Sequence, residues 1–222
     1  KPIKGWKIAF SMNLGFFEVD REVQKNTLAA LDVFRSLGAT VEEVDLGWTE
    51  EVLQAGRTYL NHLFGASLSR LLKKHGKQMT SYARLFAEMG RNSKAVDFVG
   101  TLDVANRMYT TLGPMLEKYD VLICPTTALP AVSADFDHSK EAVKINGKKV
   151  SPFQGWVMTT PFNTMSRCPV LSVPSGRAKN GVPTGIQIVG RTYCDGDVFR
   201  AAMAYETAVG GWFKDKASRP SL

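Results

Sequence analysis

The sequence predicts an α/β fold with a mixed, mostly parallel central sheet flanked by helices. Two observations carry this expectation. Short apolar or β-branched runs recur at residues 7–11, 40–46, 119–125, 169–173 and 184–189, with helically spaced apolar residues between several of them. The first two runs are joined by one such helix, an arrangement that closes with parallel strands.

Residues 7–11 (KIAFS) have the character of a short buried strand. Asp20 is placed to cap a helix in which Val23, Thr27, Ala30, Leu31, Phe34 and Leu37 recur on one face, and Gly38 supplies its stop. Residues 40–46 (TVEEVDL) are rich in β-branched side chains and give the next strand. Residues 50–118 read as largely helical. Leu60, Leu63, Phe64, Leu68 and Leu71 or Leu72 mark one amphipathic helix, and Leu102, Ala105, Tyr109, Leu112 and Leu116 mark another. Pro114 is expected to kink the second or split off its last turn, because it lacks an N–H and crowds the preceding turn. Gly90 and Gly100 are candidate breaks, and the pattern sets no boundary between Gln78 and Gly100.

Residues 119–125 (YDVLICP) make an apolar strand stopped by Pro125. Residues 143–150 alternate around Asn146-Gly147, a dipeptide suited to a tight hairpin. Residues 169–173 and 184–189 are two further core strands joined by a polar turn. Asp195 or Asp197 is expected to cap a last helix that buries Val198, Ala201, Ala202, Tyr205 and Val209.

No repeat or linker interrupts the 222 residues, so one domain over residues 1–222 is the simplest count. Hydrophobic residues at 44% and charged ones at 22% are ordinary for a soluble globular chain. No apolar run approaches the ~20 residues of a membrane span, and the basic start lacks a signal peptide's apolar core; no membrane partner is expected. Cys124, Cys168 and Cys194 are odd in number and far apart, which reads as small hydrophobes in a reducing, cytoplasmic compartment. The net charge of +7 is scattered, with modest clusters at Lys73, Lys74 and Lys77 and across residues 140–149. Without a basic stripe interleaved with aromatics, these are solvated faces, and no nucleic-acid partner is expected.

Ready-made chemistry is missing. No glycine-rich phosphate loop, nucleophile elbow or Ser-x-x-Lys pair occurs. His62, His75 and His138 lack metal-ligand spacing, so neither a metal nor an organic cofactor is expected. His62 lies within an amphipathic helix and reads as structural. His75, beside lysines, reads as a solvated helix end, and His138, near Asp135 and Asp137, as a polar surface loop.

Several strings taken in order resemble the amidase-signature family across nearly the whole chain. These are KGWKIAF at residues 4–10, the segment 20–46, YDVLICPTTALPA at 119–131, PFNTMSRCPVLSVPSG at 161–176, and GVPTGIQIVGRTYCDGDVFRAAMAYE at 181–206. The resemblance is to that family's C-terminal half. It implies an enzyme cleaving carbon–nitrogen amide bonds through a serine, a second serine on a cis peptide bond, and a lysine. In that scheme the lysine and bridging serine take the nucleophile's proton, and backbone N–H groups hold the oxyanion. The family carries those residues in a Gly/Ser-rich stretch before the part matched here, and this sequence has no such stretch. The expectation is therefore that no catalytic residue lies in this chain and that it is inactive alone. A start at Lys1 without Met fits a boundary cut from a longer polypeptide.

By the same resemblance, this half helps to shape the acyl-substrate pocket. Trp156, Met158, Phe162 and Asn163 are the pocket candidates, with Thr126 and Thr127 at the end of their strand. Relatives that use glutamine as ammonia donor carry an acidic residue about two helical turns before the matching Asn. Trp156 stands there instead, which favours an aromatic or otherwise apolar amide. Gln187, polar within a core strand, must find partners and reads as scaffold. The expected partners are the missing N-terminal half, a small-molecule amide and, through bare surfaces, further copies of the chain. A non-catalytic binding module and a protein like the A component of a glutamine-dependent amidotransferase remain the alternatives.

Overall fold

The computed structural model describes residues 2–138 and 140–211. The chain begins with β1 (Lys7–Phe10), α1 (Arg21–Ser36) and β2 (Thr40–Glu43). Asp20 caps α1 by accepting the Glu22 N–H at 2.8 Å, and Val23, Thr27, Ala30, Leu31 and Phe34 are buried along one face. Such a cap is worth about 1 kcal/mol. Gly38 follows with a φ of 87°, the left-handed turn that ends the helix and drops the chain into β2.

The helical region comprises α2 (Glu51–Leu60), a π-helical turn at Asn61–Gly65, α3 (Ala66–Ser69), α4 (Leu72–His75), α5 (Ser81–Arg91) and α6 (Ala95–Leu116). This differs from the single amphipathic helix expected through Leu60–Leu72. Gly65 crosses Gly90 backbone against backbone: a Cβ on Gly90 would lie 1.9 Å from the Gly65 carbonyl carbon. The wider π turn places one extra residue in the helix, which rotates everything after it by about 100°. The predicted stripe is consequently not buried, and Leu63, Phe64 and Leu71 are exposed. Gly100 is no break but an internal residue of α6 with open space around it. Pro114 does not split α6, which continues to Leu116. It sits in the final turn, where only one further turn depends on its neighbours.

There follow β3 (Val121–Pro125), the hairpin β4 (Val143–Ile145) and β5 (Lys148–Val150), α7 (Thr160–Met165), β6 (Val170–Arg177), β7 (Pro183–Gly190) and α8 (Asp195–Ala208). Cys194 occupies the cap position of α8, with Asp195 and Asp197 in its first turn rather than as caps. Val209 lies just past the helix and is exposed.

The main sheet has the order β2-β1-β3-β7-β6. β1 pairs parallel with β2 and with β3, whereas β7 is antiparallel to β3 and to β6. Four of the five strands thus run one way and β7 opposes them, a mixed and mostly parallel sheet. Alternation along the strands divides the core. Ala9, Leu122, Cys124 and Val189 pack with α2, α6 and α7 on one face. Ile8, Phe10, Ile123, Ile186 and Ile188 pack under α1 and α8 on the other. No helix among the described residues is long and apolar enough to cross a membrane.

Candidate functional site

In open α/β sheets, ligands collect beyond the carboxyl ends of parallel strands. Here that end gathers the loop after β1, the start of α2 and the long segment between β3 and α7. They enclose a cavity of about 340 Å3, lined by Phe16, Phe17, Leu53, Arg57, Val150 and Gln154 among others. The Arg57 guanidinium lies 5.6 Å from the centre of the Phe153 ring, a cation–π contact that holds it over this wall. Glu18 closes another side. It accepts from Asn146 Nδ2 at 2.8 Å and from Lys148 Nζ at 2.7 Å, and these bonds hold its carboxyl below the usual carboxylate range.

The end of β3 is densely bonded. Thr126 N–H donates to Gly185 O, and its hydroxyl meets the Ser172 hydroxyl at 2.8 Å. β7 lies between those two residues, and glycine at 185 makes the meeting possible: a Cβ there would come 3.0 Å from Thr126 Oγ1. Thr127 pairs with Val157 in an isolated antiparallel bridge, and Ala128 N–H donates to Trp156 O at 2.8 Å. Beneath this strap Gln187 is fully buried. Its Nε2 donates to Pro125 O at 2.9 Å, to Met158 O at 3.0 Å and to Cys124 Sγ at 3.4 Å. One side chain thereby ties the β3 exit to the segment before α7. Its Oε1 is buried with no partner among the described residues. Burial also pushes the Cys124 thiol well up, so it is no nucleophile at neutral pH.

The residues singled out from sequence divide into three groups. Thr126, Thr127 and Trp156 lie on the half-buried strap, where the indole donates to Pro152 O at 3.0 Å. Met158 and Phe162 lie behind it in the apolar core, Phe162 edge-on to Trp48 at 5.7 Å between centres. Asn163 sits on the exposed side of α7. Ser172 and the cavity residues Phe16, Phe17, Arg57 and Gln154 were not singled out. The signal for Ser172 is a lone hydroxyl in an apolar run with a glycine in the next strand. Phe16 and Phe17 sit in the loop after β1 and Gln154 just after β5, whereas Arg57 lies within α2 and carries no such signal.

Two of the three histidines, His62 and His138, are packed by aromatic rings. His62 Nδ1 is 2.8 Å from Ser93 Oγ, but the ring stacks on Phe98 at 4.6 Å. Among the described residues no carboxylate is bonded to it to orient it as a base. His138 is not a solvated loop residue: it packs against Phe136, Tyr82 and Phe153 with centres 4.8, 5.2 and 6.0 Å away. His75 contacts Gln78 at 3.1 Å in an exposed setting. Among the described residues no three His, Cys, Asp or Glu side chains converge as a metal site.

The fold and this strand-end geometry define an α/β protein in which hydroxyls, amides and aromatic walls meet at the carboxyl end of the parallel strands. The chain belongs to the amidase family: the Amidase family model matches residues 1–199. It is 27% identical over 208 residues to an amidase of Pseudomonas putida, a match covering 93% of this chain and 43% of that protein. It is 29% identical over 233 residues to the A component of the glutamyl-tRNA(Gln) amidotransferase of Bacillus pumilus (strain SAFR-032), covering 93% of this chain and 45% of that one. Among solved structures, a bacterial aryl acylamidase of the amidase signature family superimposes with a TM-score of 0.81 at 27% identity. That match covers 93% of this chain and 44% of the acylamidase. The chain therefore spans less than half the length of these relatives.

Proposed function

We propose that this chain is the substrate-pocket portion of an enzyme that hydrolyses carbon–nitrogen amide bonds, with the reactive serine and its base on polypeptide outside this sequence. The observation that carries the reading is the family match over residues 1–199, taken with relatives that the chain matches over 43% and 45% of their length. The geometry supports it. Among the described residues, the serine hydroxyl found against a histidine, that of Ser93, lies beside Phe98 rather than in the strand-end cavity. In this reading Thr126, Thr127 and Trp156 form the wall that the acyl group meets, while Met158 and Phe162 back it. Asn163 remains a pocket candidate on the exposed side of α7. Trp156 favours an aromatic or apolar amide, as does the close superposition on an aryl acylamidase.

A second reading, glutamine-dependent amide transfer, draws on the 29% identity to the amidotransferase. One assay separates the two. The chain is incubated with an anilide and with glutamine, alone and with the complementary part of a relative. Neither substrate is expected to react with the chain alone. Anilide cleavage in the mixture supports the first reading, and ammonia released only from glutamine supports the second. Turnover by the purified chain alone would overturn the placement of the nucleophile elsewhere.

A further inference from the structure

The cavity at the strand end carries charge at both ends and apolar walls between. Glu50, Leu53 and Arg57 recur at helical spacing along α2, so they line one flank of it over about 10 Å. The other walls include Phe16 and Phe17, whose rings stack with centres 4.5 Å apart, and Val150 of β5. At about 340 Å3 the space is near the lower limit of ~300 Å3 for small-molecule sites, which suits one substituted aromatic ring.

Its charges are not balanced internally. Glu18 is taken by Asn146 and Lys148. Among the described residues no carboxylate pairs with Arg57 or with Lys149. Arg57 has the Phe153 ring at 5.6 Å and a long contact to Met89 Sδ at 3.7 Å, so most of its N–H donors are unused. Gln154 stands at the same end: its Oε1 lies 3.8 Å from where a Cβ on Gly56, the residue before Arg57, would be. Gln154 is only 6% exposed, and its side-chain amide bonds to no described residue. Neither polar atom of that amide is sealed off, so it opens into the cavity it lines. Folded chains rarely leave a buried amide unpaired, and here an unpaired amide and an unpaired guanidinium meet at one end of an aromatic-walled space.

We propose that this cavity takes the acyl part of the substrate, and that this part is an aryl group carrying a carboxylate. The Arg57 guanidinium donates to the carboxylate in the two-pronged geometry that matches it, Gln154 Nε2 donates to it as well, and Lys149 adds positive charge. The ring lies against Phe16, Phe17 and Leu53. Trp156 follows Gln154 by two residues, which places the amide carbonyl toward the strap of Thr126, Thr127 and Trp156. Glu50, at the other end, repels a second anion there. The proposal rests on the reading of this chain as the substrate-pocket part of an amide hydrolase, and narrows its aryl preference to an acidic aryl group.

The cavity is lined by this chain's own residues, so the site is tested by binding to the chain alone, without turnover. The probes are 4-carboxybenzamide, benzamide and 4-(aminomethyl)benzamide, followed by chemical-shift titration, which reads weak binding. The carboxylate is expected to bind at least about tenfold more tightly than either of the others. Arg57→Ala should erase that preference and leave benzamide binding within about twofold, a split that a loss of folding would not give. Arg57→Lys should restore it only in part, because the ammonium lacks the planar fork. Gln154→Leu should also weaken the carboxylate, and Glu50→Gln should not. Equal binding of the three probes, preference for the cation, or a preference that survives Arg57→Ala would overturn the proposal. So would loss of the preference on adding the complementary part of the Pseudomonas putida amidase, because polypeptide would then fill the cavity. Hydrolysis of an uncharged anilide by that mixture, with no carboxylate preference in the chain, overturns the acidic-aryl site and leaves the proposed function standing. A carboxylate preference in a mixture that cleaves no anilide, charged or uncharged, supports the site and overturns the proposed function.

Discussion

Gln187 shows how a single residue can govern the geometry of the strand end. A polar side chain in an apolar strand announces that it needs partners, and that much is legible from sequence. Which partners is not, because Pro125 and Met158 come to it only through the tertiary fold. Replacing it by leucine leaves two buried carbonyls unpaired, each worth about 1–3 kcal/mol, and removes the cost of the unpartnered Oε1. Gln187→Leu is therefore expected to lower stability by about 2 kcal/mol, read as a drop in the urea midpoint with an unchanged slope. The Thr126–Ser172 pair was half legible. Thr126 ends an evident strand, whereas Ser172 needs the knowledge that β7, with glycine at 185, lies between β3 and β6.

Among the elements, the strands and α1 followed from local signals. Asp20, Gly38 and the Asn146-Gly147 turn act where their chemistry places them. The helical region was poorly legible, because its breaks come from a crossing between distant segments. That crossing gives a paired prediction. Gly90→Ala drives a methyl into the Gly65 backbone, which cannot swing aside as a side chain would, and should cost about 2–3 kcal/mol. Gly100→Ala, inside α6 with nothing near it, should add about 1 kcal/mol through helix propensity alone. Thermal unfolding of the two variants should move the midpoint in opposite directions. The hairpin β4–β5 carries a pH prediction. Asn146 and then Lys148 lower the Glu18 pKa from its ordinary 4.5. A depressed carboxylate contributes stability that is present above the unfolded pKa and lost as pH falls through the folded one. Exchange of the hairpin amides is expected to hold steady from neutral pH down to the ordinary carboxylate range. Below it, once intrinsic exchange is corrected for, they should open, and Glu18→Gln should abolish that transition.

At the scale of the molecule, the sheet's mixed direction was legible in outline, but the placement of β7 against β3 was not. Nothing local distinguishes an apolar run that pairs parallel from one that pairs antiparallel. Large side chains left in solvent, Phe64, Phe199 and Met203 among them, also predict that the folded chain binds an apolar reporter dye at neutral pH. That signal should fall when the complementary polypeptide is added, and a chain that stays dark throughout would contradict it.

The position of β3 has a consequence for synthesis. Its neighbours are β1 and β7, so it joins the first of the described strands to the last of them. The Lys7 N–H reaches the Asp120 carboxylate across 113 residues. A nascent chain can assemble β1, α1 and β2 early, but the slot beside β3 stays vacant until Gly190 has left the ribosome. Closure of this sheet therefore waits on residues 183–190, and its rate should be that of a long-range pairing, slow beside a helical bundle of equal size.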